Sequence, residues 1–216
     1  MNGSFIVFEG IDGCGKTTQI KELTKWLPKS GLLPSRSNLL ITREPGGTAL
    51  GKYLRKLLLH PQQETAPEAI SELLLYAADR AQHVSKVIIP ALKKGDWVIS
   101  DRFSGSTLAY QGYGRNLDLN LINQLESIST QGIIPDITFW FDLSIKNSLK
   151  RREKETNDRI EEEGAEFLAK VSHGFKHLAK ERKWIRIPAE QEKNFISERI
   201  QEVLINFNHL KYNANV

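Results

Sequence analysis

Eight residues near the start of the chain, Gly10-Ile11-Asp12-Gly13-Cys14-Gly15-Lys16-Thr17, fit the pattern G-x-x-x-x-G-K-[ST] without a mismatch. They follow an unbroken apolar run, Phe5-Ile6-Val7-Phe8, and open a helical pattern from Lys16 to Trp26. Glycines in that setting let the backbone curl until successive N–H groups converge on an anion, helped by the positive end of the next helix. Lys16 then neutralises the outer phosphates of a nucleotide and the Thr17 hydroxyl is placed to ligate Mg²⁺. Thr18 completes the set expected along the phosphates. Cys14 reads as a small loop filler, because Ile20 stands where a phosphate-cradling cysteine loop would need arginine.

Beyond this loop, short β-branched and aromatic runs alternate with longer helical patterns. Strands are expected at Phe5 to Phe8, Leu39 to Ile41 (ending at Thr42-Arg43), Trp97 to Ser100, Ile137 to Leu143 and Trp184 to Ile187. Helices are expected at Lys16 to Trp26, Thr48 to His60, Pro67 to Lys94, Leu119 to Thr130, Ile145 to Arg152, Glu166 to Glu181 and Glu192 to Leu210. Pro90 predicts a kink or break within the third of these. The order implies an α/β fold, a doubly wound five-stranded parallel sheet with helices on both faces, whose ligands sit beyond the carboxyl ends of the strands.

Composition narrows the class. The 216 residues, with 40% hydrophobic and 26% charged side chains, suit one folded domain over 1–216. The single cysteine excludes a disulfide framework and a cysteine-rich zinc site. The densest apolar stretch, Ile133 to Leu143, is broken by Pro135 and Asp136, so no membrane span is expected. With no leader-like segment at the start, the chain reads as cytoplasmic. A net charge of +4 is spread along the chain in blocks of at most three basic residues, which fits small polyanions better than a nucleic-acid partner.

The loop implies a nucleoside triphosphate but not its use. A guanine-reading N-K-x-D segment is absent. Further anion-binding chemistry falls at other strand ends: Arg43-Glu44-Pro45-Gly46-Gly47, Asp79-Arg80, Asp101-Arg102 and the charged run from Arg151 to Arg159. Several arginines around one phosphate loop imply two phosphate-bearing substrates drawn together.

At these residues the chain resembles the bacterial thymidylate kinases, which are P-loop nucleoside monophosphate kinases. The matching segments are F-E-G-I-D-G-C-G-K-T-T, T-R-E-P-G-G-T, L-L-L-Y-A-A-D-R-A-Q-H, D-R-F-S-G-S-T-L-A-Y-Q-G-Y-G-R and N-D-R-I-E. The resemblance implies transfer of the γ-phosphoryl of ATP to dTMP, with Mg²⁺, by a cytoplasmic homodimer acting in dTTP synthesis. It implies that Asp12 accepts a hydrogen bond from the deoxyribose 3′-OH and that Arg43 and Arg102 hold the monophosphate. Glu44 supports the site, Tyr76 lies against the thymine ring and Arg80 donates to a base carbonyl. The resemblance further implies that Asp101 sits near Mg²⁺, that Ser106 and Thr107 reach the base edge, and that Tyr110 closes the sugar pocket with Gln111 lining the same wall.

The same resemblance implies a short lid at about 151–163 that supplies positive charge, since this phosphate loop has no arginine. Arg152, Lys154 and Arg159 are the candidates. Arg152 is favoured for the transferring phosphoryl group because a guanidinium bridges two oxygens and an ammonium does not. Arg159 is expected to anchor the closed lid or the acceptor phosphate. The histidines, including His173 and His177 at helical spacing, read as incidental. A kinase for another nucleotide or nucleoside, and a nucleic-acid-dependent P-loop ATPase, stay open as alternatives.

Overall fold

The computed structural model describes residues 3–153 and 158–213. Five strands, β1 (Ser4–Glu9), β2 (Leu39–Arg43), β3 (Trp97–Asp101), β4 (Ile137–Asp142) and β5 (Ile185–Pro188), form one parallel sheet in the order β2-β3-β1-β4-β5. Parallel strands need crossovers, and helices supply them: α1 (Lys16–Trp26), α2 (Ala49–Leu59), α3 (Ala69–His83), α4 (Ile89–Lys94), α5 (Ser104–Thr107), α6 (Leu119–Thr130), α7 (Ile145–Arg152) and α8 (Gly164–Glu181), with α9 (Lys193–Asn213) following the last strand.

Side-chain alternation along β1 feeds two apolar layers. Ile6 and Phe8 join Ile20, Leu23, Phe139 and Leu204, while Phe5 and Val7 join Val84, Ile88, Leu92 and Phe103. Helix starts follow their caps. Thr48 Oγ1 accepts from Gly51 N at 2.9 Å, Asp118 Oδ1 from Asn120 N at 2.8 Å, and Ser144 Oγ from Asn147 N at 3.4 Å.

The expected disturbance at Pro90 takes a milder form. The chain stays helical from Ala69 to Lys94 through a π-helical turn at Val84–Ile88, where the Ile89 N–H reaches back to Val84 O. Pro90, which has no N–H, then falls in the first turn of α4. Sequence periodicity assigned no element to 104–114, yet the segment is α5 running into a second π-helical turn at Leu108–Gly114. Its three glycines hide a helix that is held by tertiary contacts, with Gly105 against Trp184, Gly112 against Leu119 and Gly114 against Phe167.

Strand register delivers the functional residues to one edge. Arg43 pairs with Asp101, and Asp101 pairs with Phe8, two residues before Gly10. The ladder continues one step past the strands, with Arg102 N donating to Phe8 O at 2.9 Å and Glu44 N to Asp101 O at 3.0 Å. The phosphate loop, Arg43-Glu44 and Asp101-Arg102 therefore share one carboxyl-end crevice.

Candidate active site

The phosphate loop closes on its own lysine. Lys16 Nζ donates to Gly10 O at 3.0 Å and Ile11 O at 3.1 Å, and reaches Cys14 Sγ at 3.6 Å. Gly10 sits at φ +142° with Phe141 O only 2.7 Å from where a Cβ would stand, and Gly13 at φ +72°. Side chains are thus excluded at both positions. Burial pushes the Cys14 thiol up despite nearby Lys16, which removes it as a nucleophile. Thr17 Oγ1 donates to Asp101 Oδ2 at 3.1 Å, so the two oxygen donors expected at Mg²⁺ are adjacent.

Helix α7 packs against this loop from the far side. Ser148 Oγ donates to Asp12 O at 2.7 Å, and Arg151 donates to Gly13 O at 3.3 Å and Ala189 O at 2.9 Å. Arg152 is buried, with its Cγ 3.1 Å from the point a Cβ on Gly13 would occupy. A cavity of about 360 Å³ opens here, bounded by Gly13, Gly15, Lys16, Thr17 and Thr18 of the loop. Arg43, Arg55, Arg102, Arg151 and Arg152 line it together with Lys16, against only Asp12, Glu44 and Asp101. Six cationic side chains facing three carboxylates make a site for polyanions.

Arg102 joins this cavity to a second one. The residue adopts a left-handed conformation (φ +72°) that an arginine visits only when its surroundings hold it there. One terminal nitrogen donates to Gly10 O and Ser106 Oγ, both at 2.9 Å; the other donates to Asp12 Oδ1 at 2.6 Å and Tyr110 OH at 3.3 Å. Tyr110 OH donates to Asp12 Oδ2 at 2.9 Å. Burial alone would raise the Asp12 carboxyl, but the Arg102 and Lys16 charges and the Tyr110 hydroxyl hold it far below the usual carboxylate range.

The second cavity is a narrow slot shared by Asp12, Glu44, Arg55, Tyr76, Arg80, Arg102, Ser106, Thr107, Tyr110 and Gln111. Arg80 Nε donates to Glu44 Oε2 at 2.8 Å, and its Nη2 to Thr107 Oγ1 at 2.7 Å and Phe103 O at 3.2 Å. Half-buried Tyr76 has its phenol pushed above its ordinary range by burial and by the Glu72 and Asp158 charges, so it stays protonated. Asp158 and Ile160 reach this slot from the chain after α7. Arg159 turns elsewhere, donating Nε to Leu58 O at 3.1 Å and Nη2 to Glu72. That is a place for tethering the segment rather than for touching the phosphate cavity. Lys154 lies outside the described residues.

Four residues here escaped sequence reasoning. Glu9, buried at the end of β1, accepts from Phe103 N at 3.0 Å, Ser106 N at 3.1 Å and Ser106 Oγ at 2.6 Å, fixing the turn that carries Arg102. His83, far from incidental, contacts Glu44 Oε1 through Nδ1 at 2.9 Å and Thr42 Oγ1 through Nε2 at 2.6 Å. Arg55 donates to Pro45 O at 3.0 Å, and burial together with the Arg43 charge lowers its proton affinity. Both guanidinium groups line the phosphate cavity, where their like charges favour a bound anion. Glu72 is wholly buried and receives Gln111, Arg115 and Arg159. The spacing of Glu72, Tyr76, Asp79-Arg80 and His83 places them on one face of α3, a polar stripe that could have pointed to the slot.

Comparison with known proteins agrees with this geometry. The thymidylate kinase family model matches residues 8–200. Thymidylate kinases from Prochlorococcus marinus strain MIT 9303 and Synechococcus sp. strain WH7803 are each 59% identical over 204 residues. The first match covers 94% of both chains, the second 94% of this chain and 96% of the relative. The crystal structure of thymidylate kinase from Ehrlichia chaffeensis superposes with a TM-score of 0.73 at 36% identity, covering 94% of this chain and 99% of that one. With its phosphate loop, arginine-lined crevice and near full-length match, this chain belongs to the thymidylate kinase family.

Proposed function

We propose that the chain transfers the γ-phosphoryl group of ATP to dTMP, giving dTDP and ADP, at the junction of the two cavities. The observation that carries this reading is the placement of Arg102, whose guanidinium touches both the phosphate loop at Gly10 and Asp12 and the slot wall at Ser106 and Tyr110. A donor phosphate on the loop and an acceptor phosphate beside Arg102 would then lie in line.

Each residue has a physical task. Loop N–H groups and Lys16 hold the donor phosphates. Arg43, Arg55 and Arg102 hold the acceptor monophosphate, and Asp12 receives the sugar 3′-OH. Tyr76 lies along the base, with Arg80, Ser106 and Thr107 around its polar edge; Gln111, expected from the resemblance on the sugar wall, lines the same slot and is taken here as a base contact as well. Arg152 bridges equatorial oxygens of the phosphoryl group in flight, with Lys154 in a lesser role, and closure of a lid over about 151–163 keeps water out. Among the described residues no three His, Cys, Asp or Glu side chains gather into a metal cage. Thr17 and Asp101 instead offer two hard oxygens, which fits Mg²⁺ arriving with ATP; when bound, it neutralises phosphate charge.

Homodimerisation belongs to the same reading. Leu50 and Tyr53 on α2, Ile70 and Leu74 on α3, and Leu121 and Ile128 on α6 are exposed, and α3 packs beside both other helices. Six exposed apolar residues on three adjacent helices fit burial against a second copy. No helix among the described residues is long and apolar enough to cross a membrane, and action in the cytoplasm goes with the reading. Coupled ADP release tests the function: dTMP should stimulate it, while stimulation by DNA, or none by dTMP, contradicts it.

A further inference from the structure

The Glu72 carboxylate is fully buried and lines neither cavity, yet it is hydrogen-bonded to a residue that lines the slot. Glu72 Oε1 accepts from the Gln111 side-chain amide at 2.6 Å. A carboxylate only accepts, so the Gln111 atom facing it must be Nε2, the donor end of the amide. The amide is planar, so its carbonyl oxygen, Oε1, is the end left for the slot that Gln111 lines. Glu72 is held rigidly enough to dictate this, because Arg115 donates to both of its oxygens at 3.3 and 3.1 Å and Arg159 donates to Oε2.

A fixed acceptor reads the pyrimidine edge. Thymine presents a donor, N3–H, between two carbonyls, whereas cytosine presents a bare N3 acceptor beside its amino group. Opposite a carbonyl oxygen, thymine gains a hydrogen bond and cytosine meets lone pair against lone pair. We propose that Glu72 is a positioning residue for base specificity: by fixing the Gln111 amide with its carbonyl toward the base, it selects N3–H pyrimidines and rejects cytosine. This deepens the dTMP reading above and rests on it, since it takes Gln111 as a base contact.

The test compares kcat/KM for dTMP and dCMP in the wild type, Glu72→Gln, Gln111→Ala and the double variant. Glutamine at 72 keeps the volume but can donate or accept, so the Gln111 amide is free to turn over. Glu72→Gln should narrow the dTMP-to-dCMP ratio by about tenfold or more, since a site loses discrimination when its hydrogen-bond partner is no longer fixed. In the Gln111→Ala background the same substitution should leave the ratio where Gln111→Ala puts it. Loosening of Arg115 and Arg159 would slow both substrates alike and leave the ratio unmoved. A ratio unchanged by Glu72→Gln but lowered by Gln111→Ala overturns the role of Glu72 while the base contact stands. A ratio unchanged by Gln111→Ala overturns the base contact itself. If Glu72→Gln does not fold, the wild-type Gln111 carboxamide carries the test by NMR. One slowly exchanging, strongly hydrogen-bonded Nε2 proton is expected, and rapid exchange of both protons contradicts the proposal.

Discussion

Arg102 and Asp12 are joined by a 2.6 Å hydrogen bond that spans from the end of β3 to the phosphate loop. Tyr110 completes the triangle from the other side, donating to Asp12 and lying under the Arg102 guanidinium, 5.1 Å from ring centre to cation. An ion pair this close keeps the loop carboxylate from repelling the phosphates beside it. It also fixes the Tyr110 ring in the slot wall, the position that the proposed dTMP site assigns to the sugar.

Sugar discrimination should therefore depend on Tyr110. Tyr110→Ala is expected to narrow the preference for dTMP over ribothymidine monophosphate in kcat/KM. Equal discrimination by the two enzymes would remove Tyr110 as the sugar gate.

Arg152 should matter most in the transition state. An arginine acting there is worth about 10³–10⁵ in rate, so Arg152→Ala should cut kcat severely and shift dTMP binding moderately. Lys154→Ala should do less. A crippled Lys154→Ala beside a nearly normal Arg152→Ala would reverse the assignment.

Asp79 makes stability pH-dependent. Its carboxyl, which accepts the Gly46 N–H at 3.2 Å, is pushed from 3.8 up to about 6, by burial first and by the Glu44 charge next. The unfolded chain sheds this proton near pH 4 and the folded chain only near 6. Stability therefore falls as pH rises across that window and stays reduced above it. Asp79→Asn keeps an acceptor for Gly46 without the charge, and should stabilise the fold at pH 7.5 by about 1–2 kcal/mol. Thermal unfolding should show that gain fading toward pH 4; a gain independent of pH would assign it to another cause.

The apolar face on α2, α3 and α6 should hold two copies together. Tyr53 is 76% exposed and Ile128 71% exposed, and neither lines the phosphate cavity or the slot. The pair Tyr53→Glu and Leu74→Glu should turn a dimer into a monomer by sedimentation velocity. A monomeric wild type contradicts the dimer outright.

Much of this was legible before the fold. Helices α1, α6 and α7 run between the bounds expected from the sequence pattern, with Gly15, Asp118 and Ser144 at their N-caps. Segment 104–114 was hidden because its glycines mark close packing against Trp184, Leu119 and Phe167, a tertiary fact with no local period. Glu9, Arg55, Glu72 and His83 stayed hidden for a related reason. Arg55 and Glu72 belong to no motif, Glu9 and His83 lie inside matching segments that assign them no task, and each acts through partners 10 to 97 residues away. Lys16, Arg43, Asp101 and Arg102 could be read because strand ends deliver them together, whatever the packing beneath.

The most direct measurement follows the phosphorus atom itself. With γ-³²P-labelled ATP, Mg²⁺ and dTMP, label should appear in dTDP in step with ADP. Because one methyl group in an apolar pocket is worth about 1–3 kcal/mol, dUMP should be labelled roughly 10–200-fold less efficiently but measurably. Label released as inorganic phosphate, or ADP formed at the same rate without dTMP, would contradict the account.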